Sequence, residues 1–372
     1  MTHLQTDDMR KDAILRTLGW SEHFSQQLSE EESTEHVGRV CSIHAVLMNV
    51  WGEFGKVQMP LPGNWLGGKA EAKPTVGDWL VLDKNKQYPV RMLDRKTVFV
   101  RRSPQNEKTV QLVAANLDTV FIVSSLNHDF SLSRLERYLA LALECGATPV
   151  IILTKADEAD QSFVDGCVAD AQKLYKDVPV LAVDGREERT ATLLKDWCGH
   201  GHSIALVGSS GVGKSTIINT MMEEEVTLTG AIRDVDSKGR HTTSSRTLYI
   251  MPCGGTIMDV PGFRELQLPP CEESVKKVFH DIEELIENCA FVDCQHDQEP
   301  DCAVQQAIAA GELTQRRVDN YHKLIEEQAR TGTERTYTKR QERQMAPRPK
   351  TGGKPRRRSG GGKKGGKKKK KK

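Results

Sequence analysis

The chain has 372 residues, of which 37% are apolar and 5% aromatic, and this length allows two or three domains with at least one sizeable core. No run approaches the roughly 20 apolar residues that span a bilayer, and the N-terminus lacks the basic start and apolar stretch of a secretory signal. The sequence therefore predicts a cytoplasmic protein without membrane association. No oligomerisation signal stands out, so we expect a monomer.

The charged residues are distributed unevenly. Residues 343–372 hold 15 of the 53 Lys and Arg residues and no acid, so the remaining 38 basic residues of 1–342 face 51 acidic ones, a net charge of −13. Such a basic tail cannot bury apolar surface and is expected to be disordered. Its expected partner is a polyanion, of which RNA is the commonest in the cytosol. The alternative is a tail that only keeps the protein soluble.

The first part of the chain contains two different patterns. Residues 1–35 are an extension with a short helix near 11–18, and residues 36–108 carry short apolar runs separated by turn signals. Several short strands in so few residues favour a small all-β barrel of the OB-fold type. Trp79 is expected in its core, whereas Trp65 could be either a core residue or a base-stacking platform. The predicted strands are 39–50, 56–60, 79–83 and 90–100.

A different period begins near residue 117, where apolar strand-like runs alternate with helical spacing. Strands that alternate with helices predict a parallel sheet with helices on both faces. The sequence therefore predicts an α/β domain over about 109–268. Its predicted strands are 118–124, 148–153, 178–183 and 203–207, and its predicted helices include 131–145 and 162–175.

A phosphate-binding loop follows the predicted strand 203–207. Residues 208–215 match G-x-x-x-x-G-K-[ST] and a helix follows them, which is the context that this motif requires. The backbone N–H groups wrap the phosphates, Lys214 neutralises the β- and γ-phosphate oxygens as a candidate catalytic group, and Ser215 ligates Mg²⁺. The expected nucleotide contacts are Gly208, Ser209, Ser210, Gly211, Val212, Gly213, Lys214, Ser215 and Thr216.

A guanine-reading motif, Thr154-Lys155-Ala156-Asp157, follows the predicted strand 148–153. The Asp157 carboxylate can accept hydrogen bonds from N1–H and the 2-amino group of guanine. Adenine lacks both donors and would leave the carboxylate unpaired, at a cost of about 1–3 kcal/mol. Lys155 can lay its aliphatic stem over the base, and Thr154 replaces the more familiar Asn. The motif predicts binding of GTP and GDP and argues against the alternative of an ATPase.

A third nucleotide motif, Asp259-Val260-Pro261-Gly262, matches D-x-x-G. Asp259 is expected to hold Mg²⁺ through water and the Gly262 N–H to contact the γ-phosphate. A polar loop, 239–245, lies between this motif and the phosphate loop. Either Thr242 or Thr243 supplies the second hydroxyl for Mg²⁺, and we assign Thr243 to that ion beside Ser215.

The position after Gly262 is Phe263, where many GTPases carry a glutamine that orients the attacking water. The free protein should therefore hydrolyse GTP slowly. His241 is the candidate to orient the water, because a neutral imidazole in the switch loop can accept a hydrogen bond from it. The alternative for His241 is an exposed histidine without a role.

The last three of nine cysteines cluster with a histidine in C-x₄-C-x-H-x₅-C spacing. Three sulfurs and one nitrogen suit tetrahedral Zn²⁺, and four protein ligands predict a structural site. The intervening segment is polar and could not fold around a core of its own. The four candidate ligands are Cys289, Cys294, His296 and Cys302.

The motif order, with guanine motif first, then phosphate loop, switch loop, D-x-x-G and cysteine cluster, resembles the circularly permuted ribosome small subunit-dependent GTPase A family of bacteria over residues 37–325. The resemblance implies an OB-fold, a permuted P-loop GTPase domain and a helical zinc-binding domain. It also implies rRNA binding and GTP hydrolysis stimulated by the small ribosomal subunit, late in the maturation of that subunit. The alternative is a nucleotide-gated RNA-binding switch whose hydrolysis is incidental. The implied segments are an extension at 1–35, the OB-fold at 36–108, the GTPase domain at 109–268, the zinc domain at 269–330 and a disordered tail at 331–372.

One segment departs from the family pattern. The base-binding loop after the strand 178–183, which in the family often reads Ser-Ala or Ser-Ser, is Asp184-Gly185 here. The N-terminal extension and the lysine-rich tail are not explained by the shared motifs.

Overall fold

The computed structural model describes residues 13–66, 73–103, 106–223, 247–259, 268–291, 293–297 and 299–345. It describes the backbone alone for Asn64, Leu66, Ser103, 106–109, Asp259 and 331–345. Seven residues named above from the switch segments lie outside the described residues, as does the tail beyond 345: His241, Thr242, Thr243, Val260, Pro261, Gly262 and Phe263. No helix in the described stretches is long and apolar enough to cross a membrane.

Antiparallel strands form the N-terminal part. They lie side by side in the order β3-β2-β1-β4-β5. Trp79 is 1% exposed, so its predicted place in the core is confirmed, and Trp65 packs half-buried against the same strands. Within the described ranges no ladder pairs β3 with β5, so closure into a barrel is not seen. The strands are β1 (Val37–His44), β2 (Leu47–Gly52), β3 (Gly55–Pro60), β4 (Trp79–Leu82) and β5 (Pro89–Met92), with short helices α1 (Glu22–Ser25) and α2 (Gly63–Leu66).

Two predicted strands are in fact interrupted. The run 39–50 is a hairpin of β1 and β2, which turns at Ala45 with a left-handed φ of 51°. The run 90–100 is divided between β5 and β6 (Val98–Ser103), which pairs with β7 (Asn106–Ala115) in a separate two-stranded sheet. The predicted boundary between 108 and 109 therefore falls inside β7.

The predicted α/β domain is present. Its six strands lie in the order β10-β9-β8-β11-β13-β12, with all neighbours parallel except β13 and β12. The central strands are fully buried, because parallel sheets carry helices on both faces. The elements are β8 (Thr119–Ser125), α3 (Leu132–Cys145), β9 (Thr148–Thr154), α4 (Gln161–Gln172), β10 (Val180–Val183), α5 (Glu188–Leu194), β11 (Ser203–Val207), α6 (Lys214–Met222), β12 (Thr247–Ile250) and β13 (Thr256–Asp259).

The N-terminal strands and the α/β domain share one continuous sheet, because β12 pairs with β1 at Thr247 and Ser42. Arg39, on β1 and 1% exposed, reinforces this junction. Its guanidinium donates to the carbonyl oxygen of Asn116 at 2.9 Å and to the hydroxyl of Ser203, at the start of β11, at 2.7 Å. A buried charge is tolerated only where such partners surround it.

The C-terminal part is helical, as the sequence predicts. Its last helix continues to Met345, beyond the predicted boundary at 330, so the backbone of residues 331–345 is helical. The helices are α7 (Glu272–Val278), α8 (His280–Ile286), α9 (Ala303–Ala309) and α10 (Gln315–Met345).

Candidate functional site

The predicted nucleotide motifs meet at one edge of the parallel sheet. Strand β8 pairs with β9 on one side and with β11 on the other. All of these strands run in the same direction, so Lys155 follows β9 and Gly208 follows β11 at the same edge, where open α/β sheets bind ligands. Asp259 ends β13, the other neighbour of β11.

Glycines in the phosphate loop are required by its backbone path. Gly208 has a φ of +151°, and a Cβ atom there would lie 2.2 Å from the carbonyl oxygen of Val123. Gly213, with a φ of +93°, forms the N-cap of α6. Only glycine adopts such conformations without strain. The loop therefore passes close to β8 and then directs the N-terminus of α6 towards the sheet edge, as phosphate binding needs.

Lys214 and Ser215 begin α6. The Lys214 ammonium donates to the carbonyl oxygens of Gly208 and Ser209, at 2.8 and 2.5 Å. The Lys214 side chain therefore folds back onto the first two residues of the phosphate loop. Ser215, in the first turn of α6, is exposed at the same edge. A cation and a free hydroxyl in these places can contact phosphate oxygens and a hydrated Mg²⁺.

Thr154 joins the guanine motif to the phosphate loop. Its side chain is 1% exposed, and its hydroxyl lies 2.6 Å from the carbonyl oxygen of Val212 and 3.3 Å from that of Ser124. The next residue, Lys155, has a left-handed φ of 59°, which turns the chain away from the strand. The structure thus brings together two motifs that are more than fifty positions apart.

The Asp157 carboxylate is paired with Arg186 at this site. The Arg186 Nη2 atom lies 2.5 Å from Asp157 Oδ2, and its Nε atom lies 3.1 Å from Asp184 Oδ1. The Arg186 guanidinium holds the pKa of Asp184 below its ordinary value. Sequence reasoning missed Arg186, although it directly follows the departing segment Asp184-Gly185.

The loop after β10 is held by two hydroxyls, one from α5 and one from α6. Thr220 donates to the carbonyl oxygen of Gly185 at 2.7 Å, and Thr190 donates to that of Asp184 at 2.6 Å. Gly185 packs on Ile217, where an added Cβ atom would find ordinary van der Waals contact at 3.5 Å. The loop is therefore fixed beside the phosphate loop, and its position does not depend on a serine at 184.

A further residue at the site, Arg134 on α3, was not identified from the sequence. Its Nη1 atom lies 2.6 Å from the hydroxyl of Ser209 and 2.8 Å from both carboxylate oxygens of Asp129. The side chain connects α3 with the phosphate loop. Helical spacing alone marks Arg134 as one exposed charge among several, so no sequence signal reveals this contact.

The predicted metal ligands also come together, between α8 and α9. The four ligand atoms of Cys289, Cys294, His296 and Cys302 all lie within 4.8 Å of one another. Cys289 Sγ is 3.6 Å from His296 Nδ1 and 3.9 Å from Cys302 Sγ, and Cys302 Sγ is 3.6 Å from His296 Nδ1. Burial, followed by the neighbouring His322, lowers the pKa of His296, which favours the neutral imidazole that binds metals.

Comparisons with known proteins agree on one family. A family model described as RsgA GTPase matches residues 92–269. The small ribosomal subunit biogenesis GTPase RsgA 2 of Vibrio parahaemolyticus is 44% identical over 332 residues, 89% of this chain and 90% of that protein. The small ribosomal subunit biogenesis GTPase RsgA of Mesorhizobium japonicum is 42% identical over 317 residues, 84% of this chain and 89% of that protein.

Two solved structures have a similar fold. YjeQ from Thermotoga maritima is 25% identical, with a TM-score of 0.57 over 79% of this chain and 98% of that one. YloQ, described as a circularly permuted GTPase, is 23% identical, with a TM-score of 0.56 over 81% of this chain and 98% of that one. The permuted P-loop GTPase fold is thus confirmed, with the guanine-motif strand β9 before the phosphate-loop strand β11. The family predicted from the motif order is also confirmed: the chain belongs to the family of RsgA GTPases.

Proposed function

We propose that this GTPase hydrolyses GTP when the small ribosomal subunit stimulates it, and that it acts late in the maturation of that subunit in the cytoplasm. The observation that carries the proposal is the convergence of Thr154, Asp157 and the phosphate loop at one sheet edge, in a chain whose relatives are called small ribosomal subunit biogenesis GTPases. The nucleotide motifs support binding of GTP and GDP. The relatives' names supply the subunit as partner.

Each residue of the site receives a role in this proposal. Asp157 accepts from guanine, Lys155 covers the base with its stem, and the N–H groups of residues 208–216 hold the phosphates. Lys214 is the catalytic cation, because it stabilises the negative charge that develops on the phosphate oxygens in the transition state. Asp259 is assigned to a water molecule on Mg²⁺, and the N–H of Gly262 is assigned to the γ-phosphate.

Magnesium would be held by the hydroxyls of Ser215 and Thr243, with Thr242 as the alternative to Thr243. Ser215 fits, since it is exposed in the first turn of α6. The bound ion would neutralise the charge on the phosphates. We assign the orientation of the attacking water to His241, because Phe263 stands where many GTPases carry a glutamine.

The cysteine cluster is assigned to one structural Zn²⁺. Tetrahedral coordination with Zn–S and Zn–N bonds of about 2.3 and 2.05 Å sets sulfur atoms about 3.8 Å apart and a sulfur about 3.6 Å from the nitrogen. His296 Nδ1 lies 3.6 Å from the Sγ atoms of both Cys289 and Cys302, and these two sulfur atoms are 3.9 Å apart. This agreement supports zinc, and a full set of four protein ligands leaves no position for substrate.

The N-terminal strands are proposed to be an OB-fold that binds rRNA, together with the basic tail. The order β3-β2-β1-β4-β5 supports this assignment, because an OB-fold is a five-stranded, partly open barrel. On this sheet the ammonium of Lys56 lies 4.0 Å from the ring centre of Trp51, a pairing that suits stacked bases and phosphates. We further propose a monomer without membrane association, and the segment boundaries given above.

The decisive experiment measures GTP turnover with and without purified small subunits, at low and at physiological salt. Stimulation of at least tenfold that weakens as salt rises is expected, because contacts to phosphates release counterions. His241→Ala should reduce the stimulated rate sharply and leave GTP affinity within about twofold. Equal turnover with and without subunits would instead support a switch whose hydrolysis is incidental.

A further inference from the structure

The Arg186 guanidinium lies at the guanine-reading carboxylate itself. It contacts Asp157 Oδ2 at 2.5 Å, and its side chain is 65% exposed while that of Asp157 is 31% exposed. The backbone N–H of Arg186 also donates to Asp184 Oδ1 at 3.0 Å. The backbone N–H and the Nε atom of Arg186 therefore bind Asp184, while its Nη2 atom binds Asp157.

The guanidinium offers the kind of donor that guanine offers. Guanine presents an N1–H and an amino group to a carboxylate, and arginine presents N–H groups in a fork of similar geometry. An N–H donor 2.5 Å from Oδ2 already uses one of the two carboxylate oxygens to which guanine would donate. A carboxylate oxygen has two lone pairs, but Oδ2 holds each of two donors less strongly than it holds one, so the guanidinium and the base compete for it.

We propose that Arg186 is an internal competitor for guanine at Asp157 and so sets the affinity of the site for GTP and GDP. This inference rests on the proposed assignment of Asp157 to guanine. Base binding moves the guanidinium off Asp157, and its Nε atom keeps its partner Asp184. The Asp157 carboxylate thus exchanges the Arg186 donor for the donors of the base. It is never left without a hydrogen-bond partner, a state that would cost free energy.

The expected change in nucleotide affinity follows from the solvent exposure of the Arg186–Asp157 ion pair. An ion pair between exposed side chains is weak and is screened by salt, so its removal should tighten nucleotide binding by about two- to fivefold. The phosphate contacts lie elsewhere in the site, so the gain should appear equally for GTP and GDP. It should shrink at high salt, where the competing ion pair is already weakened.

The test compares Arg186→Gln with the wild-type full chain by titration with fluorescently labelled GDP at about 50 mM and 500 mM salt. The expected result is a lower Kd for the variant at low salt and a smaller difference at high salt. Arg186→Lys, which keeps the charge but not the fork, should fall between the two proteins. Arg189→Gln removes a neighbouring exposed arginine on α5 and should leave the Kd unchanged.

Two outcomes would overturn the proposal. An unchanged Kd would show that Arg186 does not compete, and a raised Kd would show that it contacts the base instead. A separate experiment distinguishes failure of this proposal from failure of the assignment of Asp157 to guanine. If that assignment is right, Asp157→Asn should lose the preference for GDP over ADP. In the Asp157→Asn background the gain from Arg186→Gln should disappear, because the competing ion pair no longer exists.

Discussion

Thr154 stands where many GTPases carry asparagine, and its single hydroxyl makes the bond that links the base-binding and phosphate-binding segments. The hydroxyl lies 2.6 Å from the carbonyl oxygen of Val212 and is buried. Inside a protein the loss of such a partner leaves the carbonyl unsatisfied, and this costs about 1–3 kcal/mol. The bond should therefore contribute both to stability and to the shape of the phosphate loop.

We predict that Thr154→Val, which keeps the shape but removes the hydroxyl, lowers the free energy of unfolding by about 1–2 kcal/mol. It should also raise the Kd for GDP several-fold, because the loop loses its fixed position. Urea unfolding and nucleotide titration measure the two effects. Thr154→Ser keeps the hydroxyl and is the matched control; if it weakens GDP binding as much as Thr154→Val does, the hydrogen bond is not the cause.

Motifs in the sequence predict the roles of Thr154, Asp157 and Lys214, because binding a phosphate or a base requires these residue types at fixed spacing. The partners of these residues were not identifiable in the same way. Arg186 reaches Asp157 across 29 positions and Arg134 reaches Ser209 across 75. Such contacts depend on which strands become neighbours in the sheet, and a charged residue on a helix or loop carries no mark of its partner.

At the scale of elements, strands and helices with a strong apolar period were predicted within a few residues, as for α3 and β11. The hairpin of β1 and β2 was missed because its turn contains Ala45 rather than glycine or asparagine, although Ala45 adopts a left-handed φ of 51°. Strand β12 was also missed, since only Leu248 of its four residues is buried and no apolar alternation marks it. Turn chemistry and partial burial therefore limited the prediction.

The segment between α8 and α9 is the element that depends most on its proposed metal. It contains the four ligands and the polar residues 295–301, and metal binding provides the cross-link that such a segment lacks. We predict one zinc per chain, measured by metal analysis of purified protein. Removal with a chelator should lower the melting temperature and expose 287–302 to protease.

Cys302→Ser should lose most of the bound zinc, because Cys302 both joins the cluster and forms the N-cap of α9. Cys167→Ser is the control, since it removes an equally buried thiol on α4 that lies outside the cluster. Zinc well below one equivalent in the wild-type protein would contradict the assignment.

At the scale of the whole molecule, helix α3 is one contact, among the described residues, between the nucleotide site and the C-terminal helices. Its Arg134 reaches the phosphate loop at Ser209, while Glu136, which is completely buried, faces α10. The Glu136 carboxylate accepts from Arg316 at 2.9 and 3.0 Å and from Arg317 at 2.9 Å. One helix therefore touches both the phosphate loop and α10, the second helix after the cysteine cluster.

Glu136 should be the residue on which this contact depends. Removing one partner of a buried ion pair leaves the other charges uncompensated, which typically costs about 3–5 kcal/mol. Arg317 retains Asp281 as a second partner at 2.7 Å, and Arg316 is partly exposed. These two features place the expected loss for Glu136→Gln near 3 kcal/mol, at the lower end of that range.

The measurement is urea unfolding monitored by two separate probes. The fluorescence of a bound labelled nucleotide reports on the nucleotide site, and proteolysis reports on α10. With Glu136→Gln the C-terminal helices should become protease-sensitive at lower urea than the nucleotide site, because the variant weakens the contact of α10 with α3. Glu326→Gln removes a carboxylate from an exposed pair within α10, 3.5 Å from Arg330, and should change stability by less than about 0.5 kcal/mol. If both variants unfold alike, the buried network does not hold α10 to the GTPase domain.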